Sequence, residues 1–70
     1  MDMDKMLEYC KTTYFEYLSH IEDYDKNLTM IGILSIEIDY ITSMLTYAGF
    51  DTAKQFYLWY TEYKGGKAKC

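Results

Sequence analysis

Apolar side chains recur early in the chain at Met3, Leu7, Cys10, Tyr14, Tyr17 and Ile21, in alternating steps of four and three. Laid out at about 100° per residue, these positions, with Met6, Leu18 and Tyr24, share an arc of roughly 120°. Asp4, Lys5, Glu8, Lys11, Thr12, Glu16, Ser19, Glu22 and Asp23 fill the rest. The spacing predicts an amphipathic helix from Met3 to Tyr24 with a coiled-coil-like seam. The polar stretch from Asp23 to Asn27 predicts a turn, with Asn27 or Asp25 as the N-cap of the next helix.

The second segment, Leu28 to Ala48, has a much wider apolar arc, roughly 220°. Ser35, Asp39, Thr42, Ser43 and Thr46 leave only a narrow wet strip. A helix this apolar requires neighbours on two sides, so the middle helix is expected to be sandwiched and the chain to dimerise. Ile33, Ile36, Tyr40, Met44 and Tyr47 are the expected dimer interface. A rival pattern exists: Leu34, Ile36, Ile38 and Tyr40 alternate with Ser35, Glu37 and Asp39, as in a strand. Such a strand has only its own copy to pair with, and the helix is the reading adopted.

Gly49 then predicts a left-handed C-terminal stop, with Phe50 placed for the accompanying hydrophobic contact. Asp51 caps a third helix running to about Lys64, whose apolar face holds Ala53, Phe56, Tyr57, Trp59, Tyr60 and Tyr63. Gly65-Gly66 is expected to end it. The expected fold is all-α: one domain over 1–64, a small three-helix bundle made of a helical hairpin plus a third helix, and a short flexible basic tail over 65–70.

Composition adds constraints. Apolar residues are 50% of the chain and aromatics 19%, which argues against disorder. At 70 residues the chain buries only about 60% of its unfolded surface, so help from a partner or a second copy is expected. Cys10 and Cys70 are read as free thiols in a reducing cytosol. The start, Met1-Asp2-Met3-Asp4, is acidic where a secretion signal is basic. The longest apolar run, Met30 to Leu34, falls far short of the roughly 20 residues that span a bilayer. A cytoplasmic chain with no membrane partner is therefore expected.

The net charge of −4 is unevenly placed. Residues 1–51 hold ten acids and three lysines, and residues 52–70 hold four lysines and Glu62. The chain has no arginine, the residue preferred for bidentate phosphate and guanine contacts, which argues against nucleic-acid recognition. The outward face of helix three, with Asp51, Lys54, Gln55, Thr61 and Glu62, is nearly neutral and a poor phosphate holder. The bias toward lysine, isoleucine and tyrosine, without Arg, Pro or Val, fits A+T-rich coding, a bias common in bacterial viruses and mobile elements.

Candidate chemistry is sparse. With one histidine and no CxxC, HExxH or glycine-rich phosphate loop, neither catalysis nor a cofactor is expected. His20 has Glu16 and Asp23 a turn away, yet a solvated histidine accounts for it, and no metal site is assigned. Glu37 falls inside the apolar arc of helix two. It is either a polar contact that fixes register or a carboxylate reaching water between two packing seams; the second reading is adopted. Tyr57, Trp59, Tyr60 and Tyr63 suggest a base-stacking platform, but core packing explains them better, with Tyr57 and Trp59 at the edges shared with a partner. Phe15 on the polar side of helix one, Leu58 opposite the core face of helix three, and Tyr9 off its seam are candidate contacts.

These features point to a non-enzymatic protein-binding regulator that blocks or adapts a larger enzyme or complex. Its expected partner-binding residues are Phe15, Tyr9, Glu8, Glu22, Leu58, Trp59 and Tyr57, set in an acidic surface that meets a basic patch. The alternatives are a DNA-binding regulator using the lysine tail and helix three, or a structural oligomer subunit.

Overall fold

The structure, a computed structural model, describes residues 2–68. It contains three helices, α1 (Met3–Ile21), α2 (Leu28–Tyr47) and α3 (Thr52–Ala68), with a single 3₁₀ turn, Tyr24–Lys26, between the first two. No strand occurs among the described residues, and the alternating stretch from Leu34 to Tyr40 is helical. α1 and α2 form a hairpin with the most extensive contact, and α3 leans mainly on α1. The molecule measures 34 × 29 × 19 Å, about two helix layers in its thin direction.

Local chemistry explains most boundaries. Asp2 caps α1 by accepting a hydrogen bond from the Asp4 amide at 3.0 Å. Asp51 does the same for α3 through the Lys54 amide at 3.2 Å. α1 stops at Ile21 rather than reaching Tyr24. Glu22 and Asp23 bring negative charge to the negative end of the helix dipole, and the backbone tightens: the Asp23 amide bonds His20 O at 3.2 Å. Tyr24 consequently leaves the seam and is exposed. Asn27 occupies the N-cap position of α2, but its side chain does not cap that helix. Its amide donates backward, to Asp23 O at 2.9 Å and His20 O at 3.4 Å, tying down the end of α1.

The α2–α3 corner has the expected form. Gly49 takes φ +94°, its amide bonds Thr46 O, and the Phe50 amide bonds Leu45 O, both at 3.0 Å. This double bond is the Schellman arrangement, and Phe50 packs on the core. The expected stop at Gly65-Gly66 does not occur. Neither glycine has positive φ, and α3 runs on to Ala68. A helix tolerates glycine at a cost of about 1 kcal/mol each relative to alanine. Lys69 and Cys70, the end of the expected tail, lie outside the described residues.

The core gathers Met6 and Cys10 from α1, Ile41 and Leu45 from α2, and Trp59 from α3. Tyr14, Phe56 and Trp59 form its aromatic edge, with the Tyr14 and Phe56 rings 4.8 Å apart. Lys11 pairs with Glu62 at 3.1 Å, closing α1 onto α3. Trp59, expected at an edge shared with a partner, is buried. Phe15 is half-buried, its ring 5.3 Å from Tyr63 and edge-on. The reason is that α3 packs against the flank of α1 that carries Lys11 and Phe15. The middle helix, in turn, is not sandwiched: both neighbours approach its inner side.

Candidate interaction surface

The one-sided packing of α2 divides its apolar arc. Leu34, Ile41 and Leu45 are buried and Ile38 is half-buried, so they define the inner side. Roughly 100–160° around the helix stand Ile33, Ile36, Tyr40 and Tyr47. Ile36 is 72% exposed and Tyr47 96%, with Ile33 and Tyr40 both above half. Met44, half-buried, lies between this stripe and the core. The residues expected to form a dimer interface therefore share one outward face. That face is open in the single chain.

Two hollows run along the edge of this stripe where α1 passes. One encloses about 640 Å³ between Met6, Tyr40, Ser43, Met44, Tyr47 and Ala48. The other, about 340 Å³, is walled by Lys5, Met6, Tyr9, Glu37, Tyr40 and Met44. They share Met6, Tyr40 and Met44 and so form one apolar trough. At its end the Tyr9 hydroxyl donates to Glu37 Oε2 at 3.1 Å. Glu37 is half-buried, and its carboxylate joins α1 to α2 through Tyr9 as well as reaching water. The hydrogen bond to Glu37 holds the Tyr9 phenol above its ordinary range, with burial and the nearby negative charge acting the same way. The Thr13 hydroxyl offsets part of this.

The polar strip of α2 makes few demands on its surroundings. Ser35, Thr42, Ser43 and Thr46 each donate back to the carbonyl four residues earlier, at 2.7–3.2 Å. Covering this side leaves those hydroxyls satisfied.

The residues expected to touch a separate partner do not gather in one patch. Glu8 and Tyr9 are exposed on α1, Glu22 just past its end, and Tyr57 and Leu58 on α3. Tyr57 and Leu58 are consecutive and point about 100° apart. Phe15 and Trp59 are withdrawn into the packing. A signal for Phe15 was available in the sequence: it follows Leu7 and Lys11 at four-residue steps, on a line that leaves the edge of the main seam. His20 is half-buried, and its Nδ1 donates to Glu16 O at 2.8 Å. No group of metal-binding side chains occurs among the described residues. Cys10 is fully buried, which pushes its thiol pKa up and makes it a poor nucleophile.

By length and composition α2 is long and apolar enough to cross a membrane. Its midpoint, however, carries Glu37 and Asp39, each costing about 2.5–3.5 kcal/mol at a bilayer centre on insertion scales. The helix also commits its inner side to the protein core. No protein-family profile matches the chain, and neither a curated protein nor a solved structure is significantly similar to it.

Proposed function

We propose that this chain is a small non-enzymatic interaction module of the cytoplasm. Two copies pair through the outer face of α2, and the acidic side of α1 docks on a basic region of a larger enzyme or assembly, which it blocks or adapts. The observation that carries this reading is the open stripe of Ile33, Ile36, Tyr40 and Tyr47. Contiguous apolar patches on monomers reach roughly 300–600 Å² and mark contact sites when they are this concentrated.

The acidic side supports the second half of the reading. Asp4, Glu8 and Glu16 are exposed on α1 together with one lysine, Lys5, while Lys11 is occupied by Glu62 across to α3. The remaining field attracts a cationic surface and speeds encounter with it. The test is retention from a lysate of the source cell on the immobilised chain. A specific protein is expected to be held, with retention falling at least tenfold for the double variant Glu8→Lys, Glu16→Lys and falling with added salt. Equal retention by the double variant would contradict the docking surface.

A further inference from the structure

The open stripe on α2 has a symmetry of its own. Ile33, Ile36, Tyr40, Met44 and Tyr47 are separated by steps of three, four, four and three, the same read from either end. We infer that the occupant of this face is a second copy running antiparallel, with the two-fold axis at Tyr40. In this register Ile33 of one copy faces Tyr47 of the other, Ile36 faces Met44, and the two Tyr40 rings meet at the axis. The inference rests on the two-copy reading proposed above and adds its direction and register.

An isologous contact requires a patch that matches itself under a two-fold rotation, and a palindromic spacing provides this. The receiving shape is present. Tyr40, Ser43, Met44 and Tyr47 stand at i, i+3, i+4 and i+7 and wall the larger hollow. That is the four-residue hole that accepts a knob from a facing helix. Ile36, the most exposed aliphatic side chain of the stripe, is the knob that this register brings there. Ser43 already donates to Asp39 O at 3.2 Å, so filling the hole strands no hydroxyl.

Charge is compatible with this register. α2 has no lysine, and Glu37 borders the stripe. The antiparallel pair puts it opposite Ser43, about 9 Å along the axis from the other Glu37. The same charges disfavour a lipid surface, because interfacial helices carry Lys or Arg on the polar face. Area is sufficient as well: with rings of roughly 150–250 Å² each, the stripe offers on the order of 500 Å² per copy. Two copies then bury about 1,000 Å², near the lower bound of specific interfaces.

Single cysteines placed in the full chain carrying Cys70→Ser test the register, with chain mass measured in parallel by light scattering. Tyr40→Cys is expected to form a disulfide-linked dimer on mild oxidation. Ile33→Cys and Tyr47→Cys are expected not to link alone, since each is about 21 Å along the axis from its copy, and to link when mixed. The mixing arm keeps the test valid if loss of the Tyr40 ring weakens pairing. Self-linking by all three variants overturns the antiparallel register and leaves the two-copy reading standing. A dimeric mass with no link at any position overturns the register alone. A monomeric mass at high concentration, or a monomer that binds neutral vesicles through α2, overturns both.

Discussion

Tyr9→Phe removes the hydroxyl that ties α1 to Glu37 while keeping the ring. At neutral pH the loss is expected to be at most about 1 kcal/mol in a denaturant titration, because the site is half open to water. The alkaline side is more informative. The hydrogen bond to Glu37 raises the folded pKa of Tyr9 above the ordinary 10.0, and burial raises that of Tyr14. Groups held protonated by the fold contribute stability that is fully present below pH 10 and lost as pH rises through their raised values. Helicity is therefore expected to fall above pH 10, in step with phenolate absorbance, and Tyr9→Phe should move that transition upward. An unchanged transition would show that the bond contributes nothing. The sequence reading placed Glu37 between two seams, but named no partner for it. The partner lies on another helix, 28 positions earlier, and spacing within one helix carries no information about it.

Helix ends were legible where backbone chemistry dictated them and less so where charge or propensity competed. The Gly49–Phe50 corner was readable because positive φ after a helix is nearly a glycine property. Gly49→Ala is expected to cost about 1 kcal/mol in thermal or denaturant melts; there is open space around its Cβ position, so the cost is backbone strain alone. Gly65-Gly66 gave a false stop by the same logic, since glycine permits a break without requiring one. Gly65→Ala therefore has the opposite expected sign: circular dichroism should show equal or higher helicity, with a gain of up to about 1 kcal/mol. A drop would mean that the helix does not continue there. The early end of α1 at Ile21 arises from Glu22 and Asp23 at its C-terminus, and apolar periodicity alone extends the helix to Tyr24.

On the scale of the whole molecule, the surplus apolar surface of α2 was visible in the sequence as an arc too wide for one neighbour. What the pattern could not assign was which neighbour covers which side. α3 packs chiefly on α1, so Phe15 and Trp59 turn inward and α2 keeps an open flank. The resulting molecule is about two helix layers thick, and its most apolar helix keeps one flank exposed. A hydrophobic stripe left in water is a liability, and the pairing proposed above would cover it.

Sedimentation equilibrium over micromolar to millimolar concentration, on the unmodified chain and on Ile36→Asp, tests this most directly. Ile36 is 72% exposed in the single chain, so a carboxylate there is compatible with the fold but not with a covered face. The expected result is a dimer that dissociates on dilution, and an Ile36→Asp protein of unchanged helicity that remains at the 8.4 kDa mass of one chain. An unmodified chain that stays at that mass throughout, or a variant that associates equally well, would contradict the account.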